Sequence, residues 1–431
     1  MSLFAVTGYP ILHSLSPVLF NGYFRTHSPE SHYSRLAVRS AREALDLFRA
    51  LGLDGLNVTA PFKTDIVPLL QRLDPAAERI GAVNTVVIRG ETLEGYNTDH
   101  WGVAGVLDGW GLDVRGKACL VIGAGGAGRA AVYALVNRGA EVTLVNRDGE
   151  KARRAAALQG CAAGLLSELQ TLIDKAEVIV LAVPSGALDL GEPAFHPGQA
   201  VIDAGYANAA PFQAARLSGL RYARGEEWLV HQARAALEIF TGKEIPAHGL
   251  DGPELLSHRP GLVARSIALV GFMGSGKSTV GQALAGRLGY DFLDIDDWIE
   301  QQEGKPIRDI FACEGEAHFR RKEKEALARW APCGGLVMAC GGGSVLDEDN
   351  RRLLRDRSLT IWLYTSLETA LGRMDTRLRP LLEHAEPMIR ARELFSQRRE
   401  SYFQSADLVI GNEGPADEAV DRIHEEIRIA L

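Results

Sequence analysis

Cysteine is scarce in this chain of 431 residues, and that scarcity is informative. The five cysteines (Cys119, Cys161, Cys313, Cys333 and Cys340) are odd in number and nowhere spaced C-x-x-C, so neither a disulfide framework nor a cysteine zinc site is expected. Such usage fits a reducing cytoplasm. Basic runs are equally short, Arg320-Arg321 extending only to Lys322 and Arg398-Arg399 standing as a pair. Lys and Arg number 23 against 27 Asp and Glu through His258, and 24 against 28 after it, so no nucleic-acid partner is expected. Apolar runs stay below the ~18 residues of a membrane span. Residues 1–12 have no basic residue before their apolar stretch, which Thr7-Gly8-Tyr9-Pro10 interrupts, so no signal peptide is expected either. The 46% apolar and 24% charged shares suit soluble globular domains, and the length suggests roughly three of them.

Apolar runs recur between helical-looking segments: Gly55 to Thr59, Val83 to Ile88, Cys119 to Ile122, Val142 to Val145, Val178 to Val183 and Ala200 to Asp203. That rhythm predicts parallel strands with crossover helices, an α/β class. A helix is expected over Trp228 to Phe240, followed by a linker in the Gly-, Pro-, His- and Ser-rich stretch Gly249 to Gly261. The pattern then restarts with an apolar strand, Ser266 to Val270, a glycine-rich turn and a helix from Lys277 to Leu288.

Gly123-Ala124-Gly125-Gly126-Ala127-Gly128 stands between an apolar strand and a helix running through Arg138. Glycines there permit a tight turn and close backbone approach, and the helix N-terminus offers free N–H groups to a pyrophosphate. With so many glycines a chance match is expected on the order of half a time, so the strand-loop-helix context carries the reading. The following strand ends in Asn146-Arg147-Asp148, where a dinucleotide fold meets the adenosine ribose. Asn146 and Arg147 offer donors and positive charge, which favours NADP over NAD; Asp148, one residue on, could point either way.

Upstream lie Gly8-Tyr9-Pro10-Ile11-Leu12-His13-Ser14-Leu15-Ser16-Pro17, Asn57-Val58-Thr59-Ala60-Pro61-Phe62-Lys63, Gly81-Ala82-Val83-Asn84-Thr85 and Gly95-Tyr96-Asn97-Thr98-Asp99. These place hydroxyls, amides, one lysine and one aspartate at strand ends or loops, as holding a polyhydroxylated ring requires. In this order, with Gly225-Glu226-Glu227-Trp228-Leu229-Val230-His231-Gln232, they resemble the shikimate dehydrogenase family over roughly Met1 to Pro246. The resemblance implies that Ser14 and Ser16 bind the substrate carboxylate, that Thr59, Asn84 and Gln232 contact ring hydroxyls, and that Lys63 and Asp99 are the catalytic pair. Phe20, Trp228 and Val183-Pro184-Ser185 depart from the family's usual residues.

Gly271-Phe272-Met273-Gly274-Ser275-Gly276-Lys277-Ser278 matches G-x-x-x-x-G-K-[ST], with Thr279 next. Its backbone N–H groups suit phosphates, Lys277 the β and γ phosphates of ATP, and Ser278 a Mg²⁺ ion. Beyond it come Phe292-Leu293-Asp294-Ile295-Asp296, Gly315-Glu316-Ala317-His318-Phe319-Arg320, Gly341-Gly342-Gly343, Arg377-Leu378-Arg379-Pro380-Leu381-Leu382, and Arg398 four before Tyr402. The series resembles shikimate kinase across about Arg265 to Ile410. That resemblance implies Asp294 helping to hold magnesium, Asp296 accepting the substrate hydroxyl proton, Arg320 and Arg398 gripping the carboxylate, the triple glycine approaching the ring, and Arg379 on a mobile lid.

The whole implies a two-lobed dehydrogenase with a Rossmann NADP domain, followed by a P-loop kinase with a parallel sheet and helical lid. Expected bounds are 1–100 for a substrate-binding domain completed by helix 228–246, 101–227 for the NADP domain, 247–263 for the linker and 264–431 for the kinase. Small molecules (3-dehydroshikimate and shikimate) are the expected partners. Two other readings stand beside this one: a quinate dehydrogenase joined to a kinase of other specificity, and a non-catalytic metabolite sensor.

Overall fold

The structure is a computed structural model that describes residues 2–183, 195–205, 220–246, 250, 265–374, 380–382 and 386–430. Residues Met1–Ser14, His32–Leu53 and Pro260–Leu431 form one compact unit, and Leu15–Ser31 with Asp54–Arg259 form the other. The first hundred residues thus contribute to both. Most of the expected linker lies outside the described residues.

In the first unit seven strands run in the order Asp291–Asp294, Leu336–Ala339, Ser266–Val270, Ser358–Tyr364, Leu408–Gly411, His32–Ala37 and Leu3–Gly8, every neighbouring pair parallel. Leu3–Gly8 and Ser266–Val270 are buried throughout, the continuous apolar pattern of a parallel sheet covered on both faces. Trp362 stacks on Tyr402 of the helix Pro387–Ser405 with ring centroids 5.5 Å apart, anchoring that helix to the sheet. Strands from the two ends of the chain meet in this sheet, Val409 opposite Leu36 and Ile410 opposite Ala37.

The second unit holds a six-stranded parallel sheet in the order Arg221–Ala223, Ala200–Asp203, Val178–Leu181, Ala118–Ile122, Glu141–Val145 and Ala162–Ala163. The strands expected at Gly55 to Thr59 and Val83 to Ile88 are present, but they pair antiparallel, Gly55 opposite Val87 and Asn57 opposite Thr85. Rhythm alone predicted parallel pairing; after the helix Pro75–Ile80 the chain instead re-enters the sheet at the same end where Gly55–Val58 left it. Gly90, at φ +65°, then turns it back into Thr92–Tyr96, whose polar sequence hid a strand.

The helix expected from Trp228 begins earlier, at Gly225, because Glu227 turns back to accept the Arg224 N–H at 3.2 Å. It packs on the helix Asp99–Gly109 so tightly that a Cβ on Gly102 would stand 2.1 Å from the Trp228 ring, and one on Gly105 2.4 Å from that of His231. Trp228 is accordingly a core residue of this unit. Among the described residues no helix is long and apolar enough to cross a membrane.

Candidate active sites

Lys63 and Asp99, 36 positions apart in sequence, meet in the second unit with Lys63 Nζ donating to Asp99 Oδ2 at 2.5 Å. Asp99 is 2% exposed at its side chain and Lys63 14%, so the pair sits well inside the molecule. A network fixes the carboxylate. Its Oδ1 accepts from Asn84 Nδ2 at 3.0 Å, its backbone N–H donates to Asn97 Oδ1 at 3.0 Å, and Asn84 Oδ1 accepts from the Thr98 N–H at 2.7 Å. Asn84, Asn97 and Thr98 are all buried, so these polar groups must be partnered and leave the aspartate little freedom. Burial pushes the His100 imidazole below its ordinary value, against the pull of Asp74 and Asp99.

The glycine loop borders the same place. A Cβ on Gly126 would lie 2.8 Å from the Lys63 side chain, so the lysine passes directly over the first turn of the helix Gly126–Val136. Gly128 packs that helix against the strand, since a Cβ there would come within 1.7 Å of the Gly123 carbonyl oxygen. Gly125, the N-cap, has open space where a side chain would be, and Ala127 follows within the first turn. One side of the loop is closed by packing and the other is open to a pyrophosphate.

At the end of the next strand Asn146 Oδ1 accepts from the Ala124 N–H at 3.2 Å, tying this position to the loop. Asp148 is engaged as the N-cap of the helix Gly149–Gln159, accepting from Glu150 and Lys151 N–H groups at 3.0 and 3.1 Å; the Lys151 N–H leads in holding its carboxyl below the ordinary range. Arg147 is exposed between them. Asp148 is thus occupied in capping while Arg147 stays exposed, and the residues present fit a cofactor carrying a 2′-phosphate.

Thr59 is half-buried at the end of its strand and Ser16 is buried, both in this unit. Among the described residues the buried Gln232 Oε1 atom has no hydrogen-bond partner, which buried polar groups rarely lack. Ser14 is buried in the first unit.

A cavity of about 670 Å³ in the first unit gathers Lys277, Ser278, Thr279, Asp294, Asp296, Arg320, Gly341 to Gly343 and Arg398. Gly271 (φ +148°), Gly274 (φ +76°) and Gly276 (φ +85°) shape the turn, and a Cβ on Gly274 would strike the Ala370 carbonyl oxygen at 2.3 Å. Lys277 Nζ donates to the Gly271 and Phe272 carbonyl oxygens at 3.0 Å each, folding over the loop that would cradle phosphates. Ser275 is buried, its carbonyl accepting from Asn412 at 2.8 Å. Ser278 Oγ donates to Asp294 Oδ2 at 2.5 Å; two hard oxygens side by side fit Mg²⁺.

Asp294 Oδ1 also accepts the Asp296 N–H at 3.0 Å, capping the helix Ile295–Glu303 and directing Asp296 toward the triple glycine. A Cβ on Gly341 would lie 2.8 Å from Asp296 and 2.2 Å from Glu323, and one on Gly343 would lie 2.4 Å from the Arg320 guanidinium. Side chains here leave no room. Arg398, only 3% exposed, donates to the Gly342 carbonyl at 3.3 Å, and Tyr402 hydrogen-bonds the same oxygen; burial pushes that phenol up to about 12. Arg379 lies outside the described residues.

Glu323 was absent from the sequence-based expectation. At 1% exposure it holds the Arg320 guanidinium and accepts from Ser344 Oγ at 2.7 Å. Glu316 holds the same arginine at 2.8 Å. On the charged helix Glu316–Trp330 a glutamate reads as solvated, and only its place three residues after Arg320 hinted at a partner.

Comparison with known proteins bears on both sites. The family model for the shikimate dehydrogenase substrate binding domain matches residues 6–86, that for shikimate / quinate 5-dehydrogenase residues 109–194, and that for shikimate kinase residues 273–428. A shikimate dehydrogenase (NADP(+)) of Aquifex aeolicus is 36% identical over 251 residues, spanning 57% of this chain and 93% of that protein. A shikimate kinase of Moorella thermoacetica is 48% identical over 168 residues, 38% of this chain and 94% of that protein. The chain belongs to the shikimate dehydrogenase family in its first part and to the shikimate kinase family in its last. Among solved structures, the Thermus thermophilus shikimate 5-dehydrogenase in complex with NADP(H) and shikimate matches at TM-score 0.52 and 31% identity, over 58% of this chain and 97% of that one. In the dehydrogenase part Trp228 is turned into the core, against Gly102.

Proposed function

We propose that this chain is a bifunctional enzyme that reduces 3-dehydroshikimate to shikimate with NADPH and then phosphorylates shikimate to shikimate 3-phosphate with ATP. The observation that carries it is the Lys63–Asp99 pair lying against the first turn of a dinucleotide loop, in a chain that also holds a phosphate-cradling loop opening on Asp296 and two arginines. Residues 1–100 with helix 228–246 would serve substrate binding, 101–227 the cofactor, and 264–431 the kinase, joined through 247–263. Five free cysteines favour a reducing cytoplasm as its place of work.

NADPH supplies a hydride when bound in the glycine loop. As the ketone carbon is reduced, negative charge builds on its oxygen; the Lys63 ammonium stabilises that charge and delivers the proton, while Asp99, held by Asn84, keeps the lysine in position. Gln232 offers an unspent buried acceptor to a ring hydroxyl, with Thr59 and Asn84 as further readers and Ser14 and Ser16 for the carboxylate. In the kinase part Asp296 takes the acceptor hydroxyl proton, Lys277 and the loop N–H groups hold phosphate oxygens, and Ser278 with Asp294 holds Mg²⁺. Arg320 and Arg398 present guanidinium forks to the carboxylate, and Arg379 is assigned from sequence to charge neutralisation at the transferring phosphoryl group.

The test is a coupled assay of the purified chain with 3-dehydroshikimate, NADPH and MgATP. Shikimate 3-phosphate should accumulate with one NADPH consumed per product. Faster oxidation of quinate than of shikimate, or NADPH consumption without phosphorylated product, would refute the proposal.

A further inference from the structure

The first unit contains a buried charge that neither reaction uses. Glu426, at 0% exposure, lies in the helix Ala416–Ala430 at the end of the kinase part. Its carboxylate faces the beginning of the chain: the Ile11 N–H donates to Oε1 at 3.0 Å and to Oε2 at 2.8 Å, and the Leu12 N–H donates to Oε2 at 2.8 Å. Glu425 beside it accepts from the Tyr9 hydroxyl. Burying a carboxylate is costly unless donors surround it, and here the donors are backbone groups of a loop that would otherwise have to find them elsewhere. Burial pushes the Glu426 carboxyl above its ordinary range, opposed by the Leu12 and Ile11 N–H groups and by Arg35.

The other end of the same loop is fixed in the same way. Arg35 donates to the Ser14 carbonyl oxygen through Nη2 at 2.7 Å and Nε at 3.2 Å, while its Nη1 reaches the Asp407 carbonyl oxygen at 3.2 Å. Ser34 Oγ donates to the Ala406 carbonyl at 2.8 Å, and Arg422 of the C-terminal helix pairs with Glu43. Residues 9–14 are therefore clamped between the C-terminal helix and a strand that itself pairs with the kinase strand Leu408–Gly411. The N–H groups that hold Glu426 belong to Ile11 and Leu12, within the first fourteen residues, and not to the kinase part.

We infer that Glu426 is a positioning residue for the dehydrogenase reaction: through Ile11 and Leu12 it sets the backbone on which Ser14 stands, so carboxylate binding in the first reaction depends on the last helix of the second enzyme. The inference rests on the proposed assignment of Ser14 to the substrate carboxylate. A misplaced Ser14 weakens binding of the acid without touching the Lys63–Asp99 pair, so its signature is a change in KM and not in kcat.

The test is steady-state kinetics on the full chain. Glu426→Ala should raise KM for 3-dehydroshikimate about 10-fold, as losing a charge-assisted hydrogen bond to a substrate group would, with kcat within about twofold. Kinase kcat and KM for shikimate should be unchanged. Glu426→Gln, which keeps an acceptor oxygen for the two N–H groups, should recover most of the loss. Should Glu426→Ala fail to fold, Arg35→Lys, which removes the guanidinium fork from the Ser14 carbonyl, carries the same expectation and decides the matter. Ser14→Ala separates the two failures. If it raises KM while Glu426→Ala and Arg35→Lys do not, the positioning role is wrong and the assignment of Ser14 stands; if Ser14→Ala leaves KM unchanged, that assignment falls and the inference with it. Parallel loss of both activities in Glu426→Ala, not rescued by Gln, would also overturn it.

Discussion

Asp99 divides its two carboxylate oxygens between Lys63, at 2.5 Å, and Asn84, at 3.0 Å. The division gives the aspartate a single orientation and makes the lysine's position a consequence of the asparagine's. An exposed ion pair would contribute at most about 1 kcal/mol to stability, too little to account for a buried aspartate held through Asn84, Asn97 and Thr98.

Removing the ammonium tests that arrangement. Lys63→Met keeps the length of the side chain over the glycine loop but has neither charge nor proton, so kcat for 3-dehydroshikimate reduction should fall about 10²- to 10⁴-fold, as loss of a positioned acid does. Kinase activity of the same preparation should be unaltered. A residual kcat within tenfold of wild type, measured by NADPH absorbance, would remove Lys63 from the chemistry.

Gly343 offers a complementary test in the kinase part. Its φ of −111° is open to any residue, so alanine there introduces no backbone strain, only a Cβ 2.4 Å from Arg320. That guanidinium cannot swing away cheaply because Glu316 and Glu323 hold it on two sides. Gly343→Ala should therefore displace the carboxylate grip, at about 1.5–3 kcal/mol for a charge-assisted contact, and raise KM for shikimate about 10- to 100-fold. Dehydrogenase kinetics should not change. An unaltered kinase KM would show that Arg320 does not bind the substrate.

Much of both sites was legible in sequence because glycine loops between a strand and a helix are local, and the short polar runs around Lys63, Asn84 and Asp99 each sit at a strand end. What sequence could not show is distance across the chain. Glu323 and Glu426 look like the solvated charges of their helices, and each becomes informative only when the fold buries it against Ser344 or against Ile11. The antiparallel return between Gly55–Val58 and Thr85–Arg89 escaped for a similar reason, since apolar rhythm records where strands are and not which way the chain re-enters the sheet. The capping role of Asp148 became visible only with its bonds to Glu150 and Lys151.

His32 gives the junction between chain ends a dependence on pH. It begins the strand His32–Ala37, packs edge-on against Phe403 at 6.0 Å between centroids, and has its imidazole lowered to about 4 by burial, with the Arg355 charge adding to the effect. Because the unfolded chain keeps the ordinary value near 6.5, it binds the proton more readily than the folded one, so folding is favoured by a neutral ring. This contribution is complete above pH 6.5 and is lost as pH falls from there toward 4, to a total of at most about 3 kcal/mol. Between pH 7.5 and 5.0 the loss amounts to about 2 kcal/mol, or about 4–8 °C in the Tm of a unit of this size. Asp407 and Glu426, both raised by burial, titrate in the opposite sense, so the comparison must be made as a difference. Calorimetry of wild type and His32→Gln at the two pH values isolates it: the wild-type Tm should drop further by that amount, and equal drops would show that the His32 proton does not contribute to the junction.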